Sequence, residues 1–432
     1  MQSNIWKQSL HLEPTKGWLN DPNGLVYFGG NYHIFHQYSY EVDGGLKLWY
    51  YYTSKDLINY EDKGVFLKPD KEFDKSGVYS GSANIEGDKV VFYYTGNVKY
   101  KGNYDYVHNG RGHNTIKFET KDFSTFSKKE LILSTEDYPN MSNHVRDPKI
   151  FEKNNNSYLI LGARDSNDFG CLLVYKNMEY YKTIYSTKNL GYMWECPDYI
   201  EVDGQELLLY SPQGTSNMYP DNKNIYQIGY SIIKEGIENV EKIDNFKILD
   251  YGHDFYASQT FIDEDGERVM YAWMYVPDSS YTNPTVHFGY QNCLTIPRVL
   301  KFKDGKLYQL IHKSVKKLLG NRIESTNFDL RSWYFKQDNG NSFKITIDSL
   351  VIEYDNSKLN IALNESGYGR DNRALEIDIK NIEIVFDNSS FEIFANDGEG
   401  SFSSRYYPKN HKTNIRSEKF EAYEFNSINI KQ

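Results

Sequence analysis

Three acidic residues stand in similar local settings. Asp21 lies in Trp18-Leu19-Asn20-Asp21-Pro22-Asn23-Gly24, Asp147 in His144-Val145-Arg146-Asp147-Pro148-Lys149, and Glu195 in Trp194-Glu195-Cys196-Pro197-Asp198. Each segment immediately precedes an apolar run. The acids are separated by 126 and then 48 residues, so a fold built from repeated units is needed to bring them together. Convergent carboxylates suit glycosidic bond cleavage: one attacks the anomeric carbon and another protonates the leaving oxygen. Crowding splits their pKa values, so one can hold a proton while another is ionised, and Arg146 favours an ionised neighbour. Rival uses are poorly served. The 10 His show no His-Glu-x-x-His spacing, and no calcium loop, phosphate-binding glycine loop or Gly-x-Ser-x-Gly elbow is present. No metal and no cofactor is therefore expected. Taken singly, Asp21 reads as a turn acid, Asp147 as a partner for Arg146 and Glu195 as a surface acid.

The elements that must position these acids are hairpins. Leu25–Phe28 precedes Tyr32–Gln37, Ser82–Ile85 precedes Lys89–Tyr94, and Lys149–Phe151 precedes Ser157–Leu161. Tyr199–Val202 precedes Glu206–Tyr210, and Thr260–Ile262 precedes Glu267–Trp273. A Gly/Asn/Asp turn between two apolar runs is a strong hairpin signal. Turn centres near 29, 87, 155, 203 and 265 are spaced 58, 68, 48 and 62 residues apart. Recurrence at this interval predicts propeller blades with long connections. The leading strands of successive blades line one channel, so the three acids converge at one end of it. Gln309–Leu319 reads as a short helix stopped by Gly320. After it, short alternating strands such as Phe343–Ile347, Leu350–Tyr354 and Ile382–Phe386 predict a sandwich. The expected chain is all-β: a five-bladed β-propeller over residues 1–310, a linker with a short helix over 311–324, and a C-terminal β-sandwich over 325–432.

Composition narrows the class. Lys and Arg total 49 against 59 Asp and Glu, a net charge of −10, which disfavours nucleic acid and anionic membranes as partners. Cys171, Cys196 and Cys293 lie too far apart for a disulfide framework or a metal spacing. Met1 to Lys7 lack the apolar core of a signal peptide, and no apolar run of about 18 residues occurs. A cytoplasmic protein, monomer or homodimer, is expected, although a mature secreted chain would read the same way. The 39 Tyr, 24 Phe and 6 Trp reflect strand content first and sugar-binding faces second.

The motifs resemble glycoside hydrolase family 32, which contains invertase, levanase, inulinase and sucrose-6-phosphate hydrolase. The resemblance rests on Trp18–Gly24, Val78-Tyr79-Ser80-Gly81-Ser82-Ala83, Arg146-Asp147-Pro148 and Glu195-Cys196-Pro197-Asp198. Tyr251–Phe261, Leu294-Thr295-Ile296-Pro297-Arg298 and Phe391–Glu399 follow in the family's order. It implies a retaining β-fructofuranosidase. Asp21 would be the nucleophile, Glu195 the general acid and then the base, and Asp147 the holder of fructose hydroxyls. Asn20, Gln37, Trp49, Tyr79, Ser80, Arg146, Asp254 and Trp273 would contact a small fructoside, with core packing an equal expectation for Trp49 and Trp273.

Two departures bear on the substrate. Trp49-Tyr50-Tyr51-Tyr52-Thr53-Ser54 replaces small residues and a histidine with three tyrosines, which predicts an altered leaving-group subsite. Arg111–Lys117 fits the family's second-blade pattern only loosely. Sucrose, sucrose 6-phosphate and short fructo-oligosaccharides all remain candidates. A phosphate would need cations, for which Lys47, His36 and His253 are available, with solvated surface the first expectation for Lys47. Fructosyl transfer and non-catalytic sugar binding are the rival readings.

Overall fold

The five hairpins close into a ring. The computed structural model describes residues 4–215 and 222–431, so residues 1–3 of the N-terminal reading lie outside it. Blade 1 is built from Gly17–Phe28, Asn31–Ser39, Leu48–Ser54 and Asn59–Leu67. Blade 2 runs from Val78–Glu86 to Glu130–Leu133, and blade 3 from Met141–Lys153 to Glu179–Ser186. Blade 4 begins at Met193–Val202 and ends at Lys247–Ile248, and blade 5 runs from Tyr256–Ile262 to Lys306–Ile311. Each leading strand touches the leading strands of the two neighbouring blades, and blade 5 touches blade 1, so the five surround one axis. The ring is sealed where Gly17–Trp18 pairs in parallel with Tyr290–Gln291.

Blade faces pack through separate apolar clusters. Phe35, Trp49, Tyr51 and Phe92 fill the space between blades 1 and 2, and Val91, Tyr93, Val145 and Leu161 that between blades 2 and 3. Ile160, Val174, Trp194 and Tyr210 join blades 3 and 4. Aromatic residues are prominent in these interfaces, as their strand propensity predicts.

The sandwich has two six-stranded sheets, with Trp333–Gln337, Ile382–Asp387, Ser390–Ala395 and Gly400–Arg405 in one and Phe343–Ile347, Leu350–Asp355 and Lys358–Ala362 in the other. The helix expected over 309–319 is shorter than expected and has strand on both sides. Lys306–Ile311 completes blade 5, only Lys313–Lys316 is helical, and Leu319–Arg322 pairs with Glu421–Phe425 of the sandwich. The alternating burial of Leu307, Gln309 and Ile311 reflects a period of two that the apolar count concealed.

The two domains are fastened at both ends of the chain. Ser9 and Leu10 donate backbone N–H groups to Asp387 of the sandwich. His11 places Nδ1 2.8 Å from Asp387 and Nε2 2.8 Å from Glu392. In return, Asn429–Lys431 leaves the sandwich and adds a parallel strand to Asn59–Glu61 of blade 1, and Ile428 N–H bonds the Ser9 carbonyl. Tyr251–Phe255 approaches the sandwich backbone closely. A Cβ on Gly252 would lie 1.8 Å from the Ser403 carbonyl oxygen, so only glycine fits there.

Burial alone would lower the His11 pKa, but Asp387 and Glu392 outweigh it and raise the imidazole to about 9. His11 is therefore charged in the fold. Its folded value exceeds the unfolded 6.5, so its stabilisation is complete below pH 6.5 and lost as pH rises through 9. His11→Gln breaks a buried pair and costs roughly 3 kcal/mol near pH 6. Denaturant melts will show the gap to wild type narrowing toward pH 10, and a gap constant across that range would show that His11 is neutral in the fold.

Candidate active site

Every leading strand carries one irregularity at the same level of the ring. The register slips at Asn20–Asp21 in blade 1, at Ser80 in blade 2, at Asp147–Pro148 in blade 3, at Cys196–Pro197 in blade 4 and at Ala257–Ser258 in blade 5. A β-bulge bends the strand and re-aims side chains. Here it turns them toward the axis. Asp147, Cys196 and Ala257 adopt left-handed φ values of 62°, 47° and 49°, which is strained for residues with a Cβ. The conformation is held by named bonds, such as the Asp147 N–H to Thr95 Oγ1 at 2.8 Å.

The bulges place the three acids in one pocket of ≈ 200 Å³, which Lys47, Arg111, Arg146 and Trp273 also line. Gln37 Nε2 donates to Ser80 Oγ at 2.7 Å, and Ser80 Oγ donates to Asp21 Oδ2 at 2.6 Å. The Asn20 side chain accepts the Asp21 backbone N–H at 2.7 Å. Asp147 Oδ2 accepts the Cys196 N–H at 2.9 Å, and the Cys196 thiol lies 3.6 Å from that oxygen and 4.0 Å from Asp21 Oδ2. The thiol thus sits between the two aspartates, and burial followed by their charge keeps it protonated, well above its ordinary value. Glu195 accepts from Arg146 Nε and Nη2 at 3.1 and 2.7 Å and from the Tyr256 hydroxyl at 2.7 Å. Beside the acids lies a much smaller cavity, also lined by Asp21 and Asp147, where Lys149 pairs with Asp198 at 2.9 Å.

Burial raises Asp21 to about 8, with the Ser80 hydrogen bond opposing it and the charges of Asp147 and Glu195 adding to it. Burial also raises Asp147, to about 6, although Arg146 pulls it down. Three acids facing one arginine therefore retain a proton near neutrality.

Asn20, Asp21, Gln37, Tyr79, Ser80, Arg146, Asp147, Glu195 and Trp273 are brought together as the motifs predict. Trp49 and Asp254 are not. Trp49 has no exposed surface; it packs on Phe35 and Phe92 and donates Nε1 to the Tyr79 carbonyl at 3.0 Å, supporting the wall from behind. Asp254 precedes the bulge of blade 5 and faces the sandwich. It accepts Arg370 Nε and Nη2 at 2.7 and 2.9 Å; burial opposes ionisation, but the Arg370 guanidinium holds its carboxyl below the usual range. The three tyrosines also miss the pocket. Tyr51 stacks on Phe35, Tyr50 stacks on His36 and bonds Asp62, and Tyr52 is buried in the cluster that joins blade 1 to blades 4 and 5. Their bulk is absorbed inside blade 1. Burial lowers His36 and His253 to about 4 each, so neither supplies a cation.

Sequence reasoning missed Trp18, Tyr256 and Gln213 as pocket residues. The repeat carried a signal for Tyr256. Tyr79, Arg146, Glu195 and Tyr256 each stand immediately before the bulge in blades 2 to 5. Lys47, expected on solvated surface, lies instead with Nζ 3.5 Å from the centre of the Trp18 ring, a favourable cation–π distance.

The raised Asp21 pKa carries a stability sign. Its folded value lies above the ordinary 3.8, so ionising it in the fold costs stability. The cost is absent below pH 3.8 and grows as pH rises toward 8. Asp21→Asn is expected to abolish turnover yet melt higher than wild type at pH 8, with the difference shrinking toward pH 4. A variant less stable than wild type at pH 8 would contradict the raised value.

Comparison with known proteins fits this geometry. The model of the glycosyl hydrolases family 32 N-terminal domain matches residues 11–312, and that of the family's C-terminal domain matches residues 324–432. A sucrose-6-phosphate hydrolase of Vibrio alginolyticus is 34% identical, over 92% of this chain and 86% of its own. One from Staphylococcus xylosus is 33% identical, over 95% and 89%. Among solved structures, sucrose-6-phosphate hydrolase from Lactobacillus gasseri superposes with a TM-score of 0.88 at 28% identity, covering 99% of this chain and 94% of its own. A mutant of the Bombyx mori GH32 beta-fructofuranosidase in complex with sucrose gives 0.84 at 26%, covering 100% and 96%. With a propeller whose bulges gather three carboxylates and family models spanning both domains, the chain belongs to glycoside hydrolase family 32.

Proposed function

We propose that the chain is a retaining β-fructofuranosidase whose preferred substrate is sucrose 6-phosphate. The observation that carries the phosphate is a cluster of cations at the pocket mouth. Lys47 and Arg111 line the pocket, and Lys99 stands directly across the sheet from Arg111. Lys47 rests on Trp18 and Lys99 on Tyr106, and among the described residues no carboxylate forms an ion pair with either ammonium. The Arg111 Nε–H is buried without a partner. Burial lowers Lys47 to about 8, with the charges of Asp21 and Glu41 opposing it and that of Lys99 adding to it. Three crowded cations, none in an ion pair with a carboxylate among the described residues, favour a doubly charged ester, which takes charge-assisted hydrogen bonds. The names of the related hydrolases support the same reading, and a cytoplasmic location fits a sugar that carries a phosphate. A small molecule is the only partner the site needs, and the protein acts as a monomer or homodimer.

The reaction needs one proton in the triad. Burial places it on Asp21 before a sugar binds. Sugar hydroxyls that donate to Asp21 and Asp147 favour their ionised forms, and the proton is then carried by Glu195. Asp21 attacks the anomeric carbon, the bond to the leaving oxygen breaks, and Glu195 gives that oxygen its proton. Asp147 holds the fructosyl hydroxyls while positive charge develops on the ring. Glu195 then takes a proton from water, which displaces Asp21 and returns the site to its start with configuration retained.

Fructose release from sucrose and sucrose 6-phosphate at equal low concentration tests the preference. A kcat/KM at least about tenfold higher for the ester is expected, and Lys47→Met or Arg111→Met will raise KM for the ester while leaving sucrose little changed. Equal use of both sugars would remove the phosphate reading. Glu195→Gln is expected to lose about 10³-fold or more on either sugar and to recover part of that on fructosyl fluoride, whose leaving group needs no proton. Full activity on sucrose in that variant would remove Glu195 from the acid role.

A further inference from the structure

The Arg146–Glu195 pair has a third member that the reaction scheme does not use. Arg146 spends Nε and Nη2 on Glu195, and its Nη1 lies 2.8 Å from His144 Nδ1. A guanidinium only donates, so Nδ1 must accept and carries no proton. The neutral ring then bears its proton on Nε2, which lies 2.9 Å from the Tyr106 carbonyl oxygen. Arg111 Nη1 also approaches Nε2, at 3.2 Å, but a ring nitrogen that carries a hydrogen has no lone pair to accept with, so this is a contact and not a hydrogen bond. Burial and the flanking charges of Arg146 and Arg111 hold the imidazole near 3, so this one tautomer persists at every working pH.

Tyr106 belongs to the connection between Lys89–Lys99 and Arg111–Thr120 of blade 2, which carries the pocket-mouth cations at its two ends. The connection is seated on blade 3 by consecutive carbonyls. Tyr106 accepts from His144, and Val107 accepts from the Asn143 N–H at 2.7 Å. Asn143 Nδ2 donates to the Arg111 carbonyl at 2.7 Å, closing the seat on its far side. Asp105 Oδ1 accepts the N–H groups of Val107 and His108 at 2.8 and 2.9 Å, which fixes the turn presenting those carbonyls. One bond path therefore runs from the loop, through His144 and Arg146, to Glu195.

We propose that His144 is a positioning residue that couples the 100–110 loop at the leaving-group side of the pocket to the acid Glu195. The proposal rests on the reading of Glu195 as the acid. The imidazole acts through two hydrogen bonds of fixed direction and neither touches the sugar nor changes its protonation during turnover. Its effect is to fix the fork that Arg146 presents to one oxygen of Glu195, and so the aim of the other toward the leaving oxygen. A leaving group that orders the loop thereby orders the acid.

His144→Phe keeps the ring and removes both bonds, whereas His144→Asn can keep an acceptor near the Nδ1 position while giving up the bond to Tyr106. The Phe variant is expected to lose at least about tenfold in kcat on sucrose or its 6-phosphate with KM changed less than about threefold. The alkaline limb of its kcat profile moves to higher pH, because in the substrate complex a Glu195 carboxyl less well held by Arg146 gives up its proton later. The kcat/KM for fructosyl fluoride stays near wild type, since it reports the attack by Asp21 and needs no proton from Glu195. The Asn variant restores the pH profile but only part of kcat. A Phe variant with wild-type rates and profile overturns the proposal. So does equal loss on the sugar and on the fluoride, which would mark a general packing role. Glu195→Gln measured alongside separates the two readings: if it retains activity on the sugars, the acid assignment itself falls, whereas an inactive Glu195→Gln beside a wild-type-like His144→Phe removes only the coupling.

Discussion

Holding three carboxylates in one buried space is the constraint on which this structure turns. Like charges taken out of water repel strongly and cost desolvation as well. The protein meets this cost with few groups: one arginine, one hydroxyl relay from Gln37 through Ser80, and the Cys196 backbone N–H. A single continuous element could not supply three acids to one point. Five strands around an axis can, provided each bends inward at the same height, and the five bulges do this. The left-handed backbone at Asp147, Cys196 and Ala257 is conformational strain placed where it aims a side chain.

Rigid bulges need a rigid ring. Apolar clusters between blades supply most of that rigidity, and the sandwich supplies the rest through a polar joint. Arg298 reaches Glu392, Asp250 and Gln309, Arg370 grips Asp254, and the Arg405 backbone N–H donates to the same Asp254 carboxylate at 2.8 Å. Such buried charges contribute little net stability unless every member is satisfied. What they define is a single docking geometry, and blade 5, which carries Tyr256 against Glu195, lies directly upon it.

The features legible in the sequence were those written locally. Hairpin turns, the period of two and the acids beside Pro or Asn all lie within a few residues of one another, and from them the ring, the sandwich and the triad could be read. The misreadings needed knowledge of what faces what. Trp49 and Asp254 sit in motifs that also contain or adjoin pocket residues, but strand alternation and the inward bend turn them to the other side. The strand Gly400–Arg405 passed unnoticed because it is rich in serine, yet every residue in it is buried. Its hydroxyls and amides serve the propeller rather than water. The helix over 309–319 was drawn from apolar content, whereas Gln309 is a buried strand residue whose amide bonds the Leu249 carbonyl and Arg298. Lys47 reads as surface because lysine usually is, and only the fold reveals the tryptophan beneath it.

Blade 1 takes its outermost strand from Asn429–Lys431, paired with Asn59–Glu61. During synthesis the outer edge of the first blade stays open until nearly the whole described chain has been made. An exposed strand edge is a template for pairing with another chain, and growing chains on one messenger lie close together. Lys55, Glu61 and Lys63, exposed along or beside this edge, place charge where a premature neighbour would dock. The same late strand makes completion of the propeller depend on completion of the sandwich, so the active site and the distant domain mature as one cooperative unit rather than in order of translation.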